Sequence, residues 1–134
     1  MKRAWILIAG LLLAVFIGAC AEVQVAEAPP PPSPSVITAE DGVRYYVTGL
    51  RIPGTRQELR TKKGDASLWI PLAEISKIHF TSPAFDDYRQ AEIILASREV
   101  IRVEVDTNQI LEGRTEAGYW NMPLGRIRSV NFGS

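Results

Sequence analysis

Residue types that do chemistry are scarce in this chain, and their spacing limits what they can do. Cys20 is the single cysteine and His79 the single histidine. One cysteine excludes an internal disulfide framework and any Cys-based zinc cluster. His79 falls in Ile78-His79-Phe80, on the polar parity of an alternating run. It therefore reads as a surface residue rather than a base or a metal ligand. Ser76 and Ser82 each lie three residues from His79, on the opposite parity, so no Ser-His-Asp arrangement forms there. The best carboxylate pair is Asp86-Asp87, in the connection Thr81–Arg89. Together with Glu74 these are the groups a small hydrolase would use. Calcium takes about six to eight oxygens, and the spaced acidic loop of an EF-hand is missing, so the pair reads as a solvated loop. Arg56, Arg60, Lys62 and Lys63 cluster around one hairpin, but Glu58 and Asp65 interrupt them. The remaining candidates are aromatic: Tyr45, Tyr46, Trp69, Tyr119 and Trp120. Neighbours in Tyr45-Tyr46 and Tyr119-Trp120 must point to opposite faces of a strand, so one of each pair lies away from the inward face. Outward rings that cluster would stack on sugar rings or form a protein-binding hot spot, and otherwise they pack on the sheet.

Composition sets the frame for these residues. The chain has 134 residues, 15 Lys+Arg against 15 Asp+Glu, and 46% hydrophobic residues. That length suits one folded domain. Zero net charge speaks against nucleic acid as a partner, because phosphate binding needs a basic surplus. No metal or organic cofactor is expected, and no catalytic constellation is evident.

The elements that must position the aromatics are strands. Val43–Thr48, Ala91–Leu95 and Val100–Val105 are rich in β-branched and aromatic residues. In the last, Ile101, Val103 and Val105 share one face while Arg102 and Glu104 share the other. Turn signals fall between the runs at Pro53-Gly54, Lys63-Gly64-Asp65, Thr107-Asn108 and Ala117-Gly118. The pattern predicts roughly eight or nine strands and an all-β fold, a small antiparallel sandwich or a barrel-like domain.

One segment occurs twice. Pro71-Leu72-Ala73-Glu74-Ile75-Ser76-Lys77-Ile78-His79-Phe80 aligns without a gap on Pro123-Leu124-Gly125-Arg126-Ile127-Arg128-Ser129-Val130-Asn131-Phe132. Upstream, Arg60–Gly64 matches Arg114–Gly118 if the first copy is two residues longer, and Trp69 and Trp120 precede the two prolines. The domain at 36–134 is thus expected to comprise pseudo-repeats of about 36–82 and 83–134, burying their faces on each other.

The N-terminus has a different character. Met1-Lys2-Arg3 is basic, Ala4–Ile17 carries no charge, and Gly18-Ala19 precede Cys20, the layout of a secretory signal. Ile17-Gly18-Ala19-Cys20 resembles the lipobox of bacterial lipoproteins. The resemblance implies a signal peptide over 1–19 and a diacylglyceryl-modified, acylated Cys20 that anchors the chain in a membrane. Ala21 rather than Asp follows the cysteine, which by the family's sorting rule implies the periplasmic face of the outer membrane. Residues 20–35 then form a linker; Pro29-Pro30-Pro31-Pro32-Ser33-Pro34-Ser35 holds five of the nine prolines. As polyproline II these residues would span about 20 Å. The expectation is a non-enzymatic, lipid-anchored module that binds or scaffolds an envelope protein or the cell wall. The alternatives are a small envelope hydrolase or a carbohydrate-binding protein.

Overall fold

The computed structural model describes residues 33–83 and 87–133. Cys20, most of the proline run and Asp86 lie outside them. Among the described residues no helix is long and apolar enough to cross a membrane. The strands are β1 (Ser35–Ala39), β2 (Arg44–Arg51), β3 (Glu58–Lys63), β4 (Ala66–Pro71), β5 (Ile75–Phe80), β6 (Tyr88–Leu95), β7 (Val100–Asp106), β8 (Ile110–Thr115), β9 (Gly118–Pro123) and β10 (Ile127–Asn131). The fold is all-β and antiparallel, as the alternation predicts. Its ten strands form one continuous sheet, β4-β3-β7-β6-β5-β10-β1-β2-β8-β9, with β4 and β9 as free edges rather than a closed barrel.

That order has an internal symmetry. Exchanging β1 with β6, β2 with β7, and so on to β5 with β10, reproduces it in reverse. Ile78 on β5 faces Val130 on β10 at the centre, and both are fully buried. The halves share one continuous sheet and one buried cluster. Hairpin β1–β2 is seated between β10 and β8, and hairpin β6–β7 between β5 and β3, so each half holds a hairpin of the other.

Local chemistry explains the shared backbone. Pro71 (φ −58°, ψ 132°) and Pro123 (φ −65°, ψ 144°) each end a strand and lead into a single 3-10 turn, Leu72–Glu74 and Leu124–Arg126. A proline cannot donate to the ladder, so the chain turns a corner there. The next N–H finds an acceptor in the same way twice, Leu72 to Gln57 O and Leu124 to Gln109 O, both at 2.9 Å. The tips of β1–β2 and β6–β7 also match. Gly42 (φ 88°) and Arg98 (φ 74°) both take the left-handed conformation that lets the turn close.

Strand pairing corrects the upstream alignment. Glu58 faces Pro71 and Lys63 faces Ala66; adding 52 to each number gives Ile110 facing Pro123 and Thr115 facing Gly118, which is the observed register. The spacing is constant, so the two segments match over this hairpin with no residues inserted. Trp120 therefore corresponds to Leu68, and Trp69 to Asn121. Aligning the two glycines misled because they do different work: Gly64 (φ 62°) lies within its turn, whereas Gly118 (φ 125°) opens the strand after it.

The core draws on all ten strands, including Ile37, Val47, Leu59, Ile70, Ile78, Ile93, Val103, Leu111, Trp120 and Val130. It also contains a charge. Arg89 is 1% exposed, the largest fully buried side chain. Its guanidinium donates to the carbonyls of Ser82, Leu124 and Ile127, meets the Glu40 carboxylate at 2.5 Å and stacks 4.5 Å from the Phe80 ring centre. A buried charge persists when its donors are satisfied in this way.

Candidate aromatic and basic binding face

The five candidate aromatics separate into two groups. Trp120 is 8% exposed and packs against half-buried Tyr45, ring centres 5.8 Å apart, so both belong to the core and not to a binding surface. Tyr46, Trp69 and Tyr119 are exposed, at 58%, 43% and 63%. Trp69 stands on β4 and Tyr119 on β9, the opposite terminal strands of the sheet. The Tyr119 hydroxyl is engaged by the Glu112 carboxylate at 2.6 Å.

Around Trp69 the surface is built. On β4 Ile70 is buried in the core and Trp69, its neighbour on the opposite face, is exposed. The register sets Arg60 of β3 directly opposite Trp69. The Arg60 guanidinium lies 5.8 Å from the indole centre, and Arg56, from the β2–β3 connection, lies 5.6 Å from it. Each such contact is worth about 0.5–1 kcal/mol at an exposed site and limits the freedom of the ring. Arg60 is also tied to Asp106 on β7 (3.5 Å), and Arg56 lies 3.9 Å from Glu58. Tyr88 of β6 faces Asp106, and Lys62 lies over the Tyr88 ring at 4.2 Å. Thus Trp69, Arg60, Asp106 and Tyr88 form a row across four adjacent strands, flanked by Arg56 and Lys62. Shallow cavities of about 430 and 90 Å³ lie on either side of Trp69.

The six-residue β2–β3 connection, against three residues between β7 and β8, supplies Arg56. Gln57 holds that connection by accepting from Ile52 N–H (2.9 Å) and donating to Ile52 O (2.8 Å) and Gly54 O (3.3 Å). Tyr88 and Arg89 escape a reading from residue types. An arginine on the inward parity beside an outward tyrosine inverts the usual apolar–polar alternation of β6. The exposure of Tyr88 relative to Ala91 and Ile93 becomes legible only once Arg89 is known to be buried.

The chemical candidates do not converge. Glu74 is exposed on the first corner, whereas Asp87 is exposed just before β6, at the other end of the β5–β6 ladder. The Asp87 carbonyl accepts from the Thr107 N–H and hydroxyl, both at 2.9 Å. His79 is exposed, opposite Glu92 and Ser129. Among the described residues no group of three or more His, Cys, Asp or Glu side chains is placed to hold a metal ion. Comparison with protein-family models, curated proteins and solved structures finds no match to this chain.

Proposed function

We propose that the chain is a bacterial lipoprotein anchored through Cys20, carrying its β domain on a proline-rich tether, and that the domain is a non-enzymatic binding module for an envelope protein. One observation carries the binding part: an exposed tryptophan on a free-edge strand, with two guanidinium groups within 5.8 Å of its ring centre and the surface continued by Tyr88 and Lys62. Tryptophan, tyrosine and arginine are the residue types enriched at the energetic centres of protein interfaces. A tryptophan already oriented by its neighbours loses little freedom on binding. The anchor reading rests on the lipobox-like Ile17-Gly18-Ala19-Cys20, and Ala21 points to the periplasmic face of the outer membrane. Two acyl groups provide the stable attachment that a single chain does not. By this reading the mature chain loses Lys2 and Arg3, which leaves 13 basic residues against 15 acidic. The repeated corner, with the matching strand order, is read as an internal duplication.

Two experiments test the proposal. Radioactive palmitate should label the chain in cells, and Cys20→Ala should abolish the labelling; persistent labelling overturns the anchor. In-cell crosslinking followed by affinity purification should recover one protein with the full chain and lose it with Trp69→Ala. Recovery that is indifferent to Trp69, or that is displaced by soluble cell-wall fragments, overturns the protein-partner reading.

A further inference from the structure

The buried arginine has a counterpart position that is not an arginine. The hairpin β1–β2 maps onto β6–β7 with a difference of 56: Ile37 faces Tyr45 where Ile93 faces Ile101. On that spacing Arg89 corresponds to Ser33. Of the groups that hold the Arg89 guanidinium, the corner carbonyls and the ring map with the difference of 52; Ser82, whose carbonyl also accepts, maps to Ser134, outside the described residues. Leu124 and Ile127, whose carbonyls accept at 3.2 and 2.6 Å, correspond to Leu72 and Ile75, and Phe80 to Phe132. Ser33, Leu72, Ile75 and Phe132 line one cavity of about 630 Å³.

The two corners also share their hydrogen bonding. Ile75 N–H donates to Leu72 O as Ile127 N–H donates to Leu124 O. Ala96 N–H donates to Glu74 O as Glu40 N–H donates to Arg126 O, at 2.7 and 2.9 Å. Shared bonding gives the corner carbonyls the same placement in both halves. One half closes over a guanidinium of its own; the other presents the same corner and ring beside a small serine. We infer that this cavity is a receptor for the guanidinium group of an arginine carried by a partner protein. A planar fork of N–H donors suits two neighbouring carbonyls and a phenyl face together, which a compact ammonium does not.

The differences from the Arg89 site set the strength of the interaction. Glu40 corresponds to Ala96, so no carboxylate occupies the equivalent position. Arg51 on the cavity wall is engaged with Glu112 at 3.1 Å. The incoming cation is held by carbonyl dipoles and an aromatic ring alone. Binding is therefore reversible and weaker than the internal site, as befits an intermolecular contact.

The test uses the full chain in detergent micelles, followed by NMR during titration with N-acetyl-arginine N-methylamide. Saturable shifts at Ala73, Ile75 and Phe132 are expected in the millimolar range. The neutral citrulline analogue, nearly the same shape without the charge, should bind at least tenfold more weakly. Ser33→Arg places the chain's own guanidinium where Arg89 sits in the other half, so it should abolish the response and raise the melting temperature. Phe132→Leu should weaken the response if Ser33→Arg does not fold, and Trp69→Ala should leave it unchanged. Absence of saturable shifts, an equal response to citrulline, or an unaltered response in both cavity variants overturns the inference. None of these outcomes bears on the Trp69 face.

Discussion

On the β3–β7 ladder Arg60 meets Asp106 at 3.5 Å; on the equivalent β8–β2 ladder Glu112 meets Arg51 at 3.1 Å. Arg60 corresponds to Glu112, and the register shift between Thr48 and Arg51 brings Arg51, rather than Leu50 that corresponds to Asp106, opposite Glu112, so the signs are exchanged. Beside Arg60 stands Trp69, and beside Glu112 stands Asn121. A cross-strand ion pair works equally well in either sense, so the ladder tolerated the exchange. What surrounds each pair differs. The first half has a guanidinium pair around an exposed indole, whereas the second has a carboxylate shared by Arg51 and the Tyr119 hydroxyl. The comparison separates what holds this backbone from what decorates it. Proline-led corners, left-handed hairpin tips and central aliphatic pairs recur in both halves, while outward side chains follow no common rule.

Substitutions at corresponding positions sharpen or break that separation. Trp120 closes the core at the β9 edge, whereas its counterpart Leu68 is 36% exposed on β4. Trp120→Ala should cost about 3–5 kcal/mol in urea unfolding, and Leu68→Ala under about 1 kcal/mol. Equal costs would mean that the halves bury their edges alike.

Arg89→Met should cost about 3 kcal/mol, because it leaves buried carbonyls and one face of Glu40 without their donor. Conversely, Glu40 is 39% exposed and partly solvated, so Glu40→Gln should cost less in the same denaturation series.

Gln109 and Gln57 occupy corresponding positions and make three side-chain hydrogen bonds each, but to different ends. Gln109 is 4% exposed and joins the Arg60 backbone to the β7–β8 connection, whereas exposed Gln57 closes only its own loop. Gln109→Ala should cost about 2 kcal/mol and Gln57→Ala about 0.5 kcal/mol, read from the same unfolding curves.

One effect has the opposite sign. Arg98 holds a left-handed conformation that its counterpart Gly42 adopts without strain. Arg98→Gly should stabilise the domain by about 0.5–1 kcal/mol, seen as a higher melting temperature. Gly42→Ala should lower it.

Much of this was legible in the residues and some of it was not, for identifiable reasons. Alternation along β7 and the Pro-Leu-x-x-Ile corners are local, and they placed strands and turns correctly. Adjacency required one residue of Tyr45-Tyr46 and one of Tyr119-Trp120 to point outward, but not which; burial settles it as Tyr46 and Tyr119. Pairing of β1 with β10 and of β2 with β8 joins residues far apart in the chain, and no local pattern encodes it. The irregularity at Thr48–Arg51, where Gly49 has φ 64°, adds a residue to one ladder only and is invisible before pairing is known. Tyr45 and Trp120 carry nothing in their types to say that they pack on each other. Arg89 reads as surface until the carbonyls that satisfy it are in view.

The proposed binding face lies at the β4 end of the sheet, and the counterpart β9 end carries none. Placing the same photoreactive amino acid at position 69 and, in a separate chain, at its counterpart position 121 tests it in living cells. A crosslinked protein adduct is expected from position 69, diminished at least tenfold by Arg60→Ala, and none from position 121. Adducts from both positions in equal yield, or from position 121 alone, would contradict it.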